Sequence, residues 1–240
     1  MAHGMTITRP GDVTAAEMAS LHERVLAVAA SVPGAAAVTG PTGRSSYGQL
    51  SEEIRAIAAA LSVAGVAPGD VVAVVGTACA EQIPAVLGTL AAGAIYLPVP
   101  AGLPADAALS AMRRGVARMA LVCGDLSPAF MPALTVREAL RIGAAESRFA
   151  VVSPRPAEPA AILPNATFSH AALLRSIGGT PAEPRGRRAV SPGLDCEESV
   201  REVFAAQLAG AGVVVADPAD SRAAVEYPLT FLPPIDAAAP

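Results

Sequence analysis

Val66-Ala67-Pro68-Gly69-Asp70-Val71-Val72-Ala73-Val74-Val75 is a tight turn that delivers an apolar run with no polar alternation. A strand that keeps water off only one face alternates; one covered on both faces does not, and such strands belong to parallel sheets with helices packed above and below. The segments around it keep that rhythm. Downstream, the pattern predicts a helix over 79–92, a strand over 94–98, a helix over 105–116, a strand over 119–122 and a helix over 134–142. Upstream, Leu50, Ile54, Ile57 and Leu61 form one helical stripe over 47–64, with Ser46 as N-cap and Gly65 as stop. A further amphipathic helix is predicted over 14–31, and a hairpin over 35–46 turns at Gly40-Pro41-Thr42-Gly43. The fold class is α/β, with mainly parallel β-sheets flanked by helices.

Pro154, Pro156 and Pro159 form a proline-broken connector. It divides the chain into a start segment over 1–10, a first α/β lobe over 11–153, a second lobe over 154–232 and an Ala/Pro-rich tail over 233–240. Met1 to Met5 reads as a cloning scar or a second start. In the second lobe short strands are expected over 160–163 and 166–168, a helix capped by Ser169, a Gly/Pro/Arg-rich loop over 178–188, a helix over 196–208 and a buried strand over 213–216.

With 52% hydrophobic residues, the 240-residue chain has ample material for a core. A net charge of -4 and 3% aromatic residues supply neither the field nor the stacking platforms that nucleic acid requires. All 17 basic residues are arginine, so a lysine Schiff base, a lysine general base and a lysine at a nucleotide phosphate are closed to this chain. The abundance of Ala, Gly, Pro and Arg fits a GC-rich coding sequence. Cys79, Cys123 and Cys196 are widely spaced and make neither a zinc ribbon nor a disulfide framework, and His3, His22 and His170 are scattered, so no metal site is expected. No apolar stretch is long enough to span a bilayer and no export signal opens the chain, so a cytoplasmic location is expected. Dinucleotide, P-loop and nucleophile-elbow motifs are missing.

Three ordered segments resemble the adenylation domains of nonribosomal peptide synthetases, members of the acyl-adenylate-forming superfamily. They are Ser46-Tyr47-Gly48-Gln49-Leu50 with the Gly65–Asp70 turn, Leu87 through Val99 (LGTLAAGAIYLPV), and Glu202-Val203-Phe204 through Leu208-Ala209-Gly210-Ala211. The residues themselves read as packing segments: a capped helix and two helix-Gly-strand junctions. The resemblance covers most of 21–217 and implies the front part of such a domain, with the later ribose-binding and catalytic-lysine motifs falling beyond the chain.

In that family a Ser/Thr/Gly-rich loop ending in Pro-Lys-Gly wraps the ATP phosphates between two strands. Here Ala160-Ala161-Ile162-Leu163 meets Ala166-Thr167-Phe168-Ser169-His170 across Pro164-Asn165 alone. A two-residue turn replaces the phosphate loop and leaves no room for a backbone cradle around a triphosphate. No cofactor is therefore expected, and no residue is assigned as catalytic. Asp195, near the family's substrate-ammonium aspartate, is read first as the N-cap of the following helix, and His170 as a first-turn histidine bonded to backbone; together they form the residual substrate-binding candidates. The expectation is a truncated pseudo-adenylation domain without adenylating activity, a structural or docking element in natural-product (antibiotic) biosynthesis. Its expected partners are condensation, carrier-protein or tailoring-enzyme domains, or a second copy of itself. The alternative is an aminoacyl-handling domain that binds or reacts without ATP on the remnant pocket.

Overall fold

The computed structural model describes residues 20–40, 43–76, 79–124, 131–146, 149–164, 166–178, 188–190 (backbone only) and 194–215. Asn165, most of the arginine-rich loop, residues 1–19 and everything after 215 lie outside the described residues. In chain order the elements are α1 Leu21–Ser31, β1 Ala36–Gly40, β2 Gly43–Ser46, α2 Tyr47–Val63, β3 Val71–Gly76, α3 Gln82–Ala91, β4 Ile95–Pro100, α4 Ala105–Arg114, β5 Ala117–Val122, β6 Ala133–Thr135, α5 Val136–Ala144, β7 Pro159–Leu163, β8 Ala166–Ser169, α6 His170–Gly178, β9 Arg188–Val190, α7 Glu197–Leu208 and β10 Val213–Val215.

Two sheets result, ordered β2-β1-β10-β9 and β6-β5-β3-β4-β7-β8. Every pairing is parallel except β1 with β2 and β7 with β8, which are hairpins at one edge of each sheet. The unalternating run at Val71 does form the centre of a parallel sheet, with β4 on one side and β5 on the other. Successive residues of a strand face opposite ways, and both faces of β3 are covered. Val72 and Val74 join the main core, while Ala73 and Val75 join a smaller core with Leu97, Val99, Val122 and Met112 of α4. The main core draws residues from both sheets and from α1, α2, α3, α6 and α7. All ten residues of α3 are buried, the polar Gln82 and Thr89 among them.

Each sheet takes strands from both sides of residue 154: β1 pairs with β10, and β4 with β7. Both hairpins lead straight into a helix, β2 into α2 and β8 into α6. Ser46 and Gln49 form a reciprocal capping box at the first, and the Ser169 hydroxyl accepts from the Ala172 N–H at the second. Two strands escape the sequence reading. β6 and β9 are three residues long, and their place is set by parallel neighbours β5 and β10, so residue 188 pairs in a sheet where a loop is expected.

Packing limits are tight where helices cross. A Cβ on Gly143 would overlap the Ala56 carbonyl of α2, so only glycine lets α5 approach this closely.

Candidate functional site

β7 and β8 face each other in antiparallel register with Leu163 opposite Ala166, so Pro164 and Asn165 are the whole connection. Pro164 is exposed and, being proline, offers no N–H; the connection can donate at most one backbone hydrogen bond. The other hairpin of the molecule is built alike, Gly40 opposite Gly43 across Pro41-Thr42. The β7–β8 turn thus repeats a join this chain uses elsewhere to close a sheet edge.

Asp195 is positioned by its neighbour. Tyr96 lies opposite Ala161 between β4 and β7, and its hydroxyl donates to the Leu194 carbonyl. The Leu194 N–H in turn donates to Oε1 of Gln82 at 3.2 Å, the first residue of α3. Both polar groups of that peptide are therefore held by buried side chains. Burial, followed by Cys123, Asp195 and Cys196, pushes the Tyr96 hydroxyl well above its usual range, which keeps it a donor. Asp195 itself is half-buried.

The expected N-cap role of Asp195 does not hold. The helix begins one residue later, with Cys196 as N-cap in extended backbone (φ -128, ψ 162) and no side-chain bond to a helix N–H. The reason is local. The Leu194 anchor fixes the chain before Asp195, and the cap position falls to Cys196, whose Sγ lies 3.1 Å from Oγ of Ser199. Glu197 and Glu198 do occupy the first turn, where carboxylates complement the helix dipole.

His170 is buried at the start of α6, and its backbone N–H donates to the Glu158 carbonyl at 3.0 Å. That bond is the backbone tie expected of a first-turn histidine, while Nδ1 of its ring has no hydrogen-bond partner. The ring stands edge-on to His22, with ring centroids 6.3 Å apart and planes at 76°. Burial lowers the pKa of His170, opposed by Glu158 and Glu23. Asp195 is not among the groups acting on it; Asp195 acts on Tyr96, and His170 stands beside His22. Among the described residues no hydrogen bond or ion pair joins the two candidates.

What the residue reading missed is the brace formed by Gln82 and Tyr96. Tyr96 had been placed in a packing segment, and Gln82 carried no motif. A polar residue opening an otherwise apolar helix was the available signal. Tyr47 does a similar job, its hydroxyl 2.9 Å from both the Gln207 and Ala211 carbonyls, tying the start of α2 to the end of α7. An open groove of about 670 Å³ between α2 and α5, lined by Glu52, Glu53, Leu140 and Phe149 among others, contains none of the candidate residues. Among the described residues no cluster of three or more His, Cys, Asp or Glu could hold a metal ion, and no helix is long and apolar enough to cross a membrane.

Residues 25–186 match the profile of the AMP-binding enzymes. The chain belongs to the AMP-binding enzyme family. Phenyloxazoline synthase MbtB of Mycobacterium sp. (strain MCS) is 38% identical over 219 residues, 85% of this chain and 18% of that protein. Pyochelin synthetase PchE of Pseudomonas aeruginosa (strain UCBPP-PA14) is 31% identical over 234 residues, 89% of this chain and 15% of that one. This AMP-binding family member thus spans less than a fifth of the length of these two relatives. Among solved structures, the nonribosomal peptide synthetase FmoA3 in its AMPPNP-bound form aligns with a TM-score of 0.73 and 29% identity, covering 86% of this chain and 24% of that one. The N-terminal subdomain of Klebsiella oxytoca NpsA, in complex with 3-hydroxybenzoyl-AMSN, aligns with a TM-score of 0.73 at 19% identity over 83% of this chain and 54% of that one, a likeness of fold. The resemblance to synthetase adenylation domains and the mainly parallel α/β class are both borne out.

Proposed function

We propose that this AMP-binding family member is a pseudo-adenylation domain that does not grip ATP and serves a nonribosomal peptide synthetase as a structural, protein-docking element. The observation that carries the reading is the β7–β8 connection. Two residues, one of them proline, join strands in register from Leu163 to Ala166. A polyphosphate is held by several converging N–H groups and hydroxyls, and this turn supplies at most one N–H. The lack of lysine in the chain removes the usual cationic partner of a nucleotide phosphate. Among the described residues no hydrogen bond or ion pair joins Asp195 to His170, so no observed contact supports an aminoacyl-handling pocket built on that pair.

The packing supports this: capping boxes open α2 and α5, Tyr47 and Tyr96 brace distant elements, and the described residues form two apolar cores. A chain that retains packing without the nucleotide grip fits selection for a shape that neighbours recognise. The partners this implies are the condensation, carrier-protein or tailoring domains of the same assembly, or a second copy of the chain. ATP–pyrophosphate exchange with a panel of amino and aryl acids tests the reading. No exchange above a protein-free blank is expected, and acid-dependent exchange would overturn it.

A further inference from the structure

β3 and β5 are parallel neighbours, with Val75 opposite Val122. Just past that pair, the Cys123 N–H donates to the Val75 carbonyl at 2.8 Å, so Cys123 lies beside Gly76. A Cβ on Gly76 would fall 2.7 Å from Cβ of Cys123 and 3.4 Å from its Sγ. Glycine at 76 is what admits the Cys123 side chain over the end of β3. Cys79 follows three residues later on the segment leading to α3, and each thiol is the first influence on the other's ionisation. They differ in access: Cys123 is 3% exposed, whereas Cys79 is half-buried. The segment between Cys79 and α3 is also tied to the end of β5, because Glu81 accepts from the Gly124 N–H at 2.8 Å.

We propose that Cys79 and Cys123 form an oxidisable dithiol, a modification site at the C-terminal ends of β3 and β5 that a hydroperoxide converts to an intramolecular disulfide. Cys79 is the attacking group. Its pKa is lowered, first by the neighbouring Cys123 thiol, while that of Cys123 is raised well above the thiol range; a lowered pKa with solvent access is the pattern of a peroxide-reactive cysteine beside a resolving one. In the first step the Cys79 thiolate attacks a peroxide oxygen. An S–O bond forms, the O–O bond breaks, and the departing alkoxide or hydroxide takes a proton, leaving a sulfenic acid. In the second step Cys123 gives up its proton and its sulfur attacks Sγ of Cys79. The S–S bond forms, the S–O bond breaks, and water leaves. Two thiols lose two electrons to one peroxide. The bridge fixes the segment that leads into α3, whose first residue Gln82 holds Leu194. This inference is independent of whether the chain binds ATP.

The full chain suits the experiment because its three cysteines fall on separate tryptic peptides, 56–113, 119–137 and 189–201. After hydrogen peroxide and alkylation of remaining thiols, mass spectrometry should show 56–113 joined to 119–137, with 189–201 alkylated. In a Cys123→Ala variant the link should vanish and Cys79 should be trapped as a sulfenic acid by a 1,3-diketone probe at least five-fold more than in the parent chain. Cys196→Ser should leave the link intact. Equal diketone labelling of parent and Cys123→Ala chains, accumulation of Cys79 sulfinic acid without a link, or a link that runs to Cys196 would each overturn the assignment.

Discussion

His22 is fully buried near the start of α1, its Nε2 donating to the Val152 carbonyl at 3.0 Å and its Nδ1 without a partner. Burial lowers its pKa from 6.5 to about 4, against the pull of the Val152 bond and of Glu23. A histidine whose folded pKa is depressed leaves stability intact above the unfolded value and removes it as pH falls from about 6.5 toward 4, because the unfolded chain binds the proton first. His170 shifts in the same direction. The loss from His22 alone is about 2 kcal/mol between pH 7 and pH 5. Glu53, raised by burial and by Glu52 and Glu81, works in the opposite sense, so the readout is a difference. His22→Gln can keep a donor for Val152 and does not titrate, so its stability in urea should fall less over that window than the parent's. Parallel curves would show that His22 does not titrate on unfolding.

Val116 is the described non-glycine residue with positive φ, at 52° and 79% exposed. Helices commonly end with glycine in this left-handed position, and a glycine stands one place early. Gly115 lies where a Cβ would come 2.6 Å from Cδ2 of Leu97, so packing claims the glycine and the strained geometry passes to a β-branched residue. Val116→Gly should therefore stabilise the protein by about 1 kcal/mol, raising Tm by roughly 2–4 °C. An unchanged or lower Tm would mean that the Val116 side chain holds the turn in some other way.

Among elements, the β7–β8 hairpin is where the proposed function is tested, by exchanging its turn. Replacing Pro164-Asn165 with Asn-Gly, the commonest two-residue hairpin turn, should keep Tm within about 2 °C and keep partner binding. Loss of binding at unchanged Tm would make the turn a contact surface and refute its reading as a plain join. This hairpin, like β3, β4 and most helices, was legible because a period of 3.6, an unbroken apolar run or a two-residue turn is a local signal. β6 and β9 were not, since Ala-Leu-Thr and Arg-Ala-Val lack the unbroken valine run that marks β10, and their pairing depends on β5 and β10. The order of the sheets was equally hidden. β1 finds β10 with Val38 opposite Val213, a pairing between segments far apart in the chain that no local pattern announces. At the site, Asp195 was legible as the residue before a helix, but the cap fell to Cys196 because Gln82 and Tyr96 hold Leu194 from distant elements.

The described residues combine two mainly parallel sheets around a shared helical core, with two residues joining β7 to β8. The molecule's likeness to adenylation domains concerns the scaffold, and the proposed function holds that this scaffold does not grip a triphosphate. A ligand that binds only the native state must raise its melting temperature by mass action. The most direct measurement is accordingly a thermal-shift titration of the chain with Mg²⁺–ATP up to about 100 times the Kd of a micromolar-affinity site, where binding would add about 2.7 kcal/mol. The account predicts a Tm that stays flat across the titration and matches a Mg²⁺–sulfate control of equal ionic strength. A saturable, dose-dependent rise with ATP, absent from that control, would contradict it.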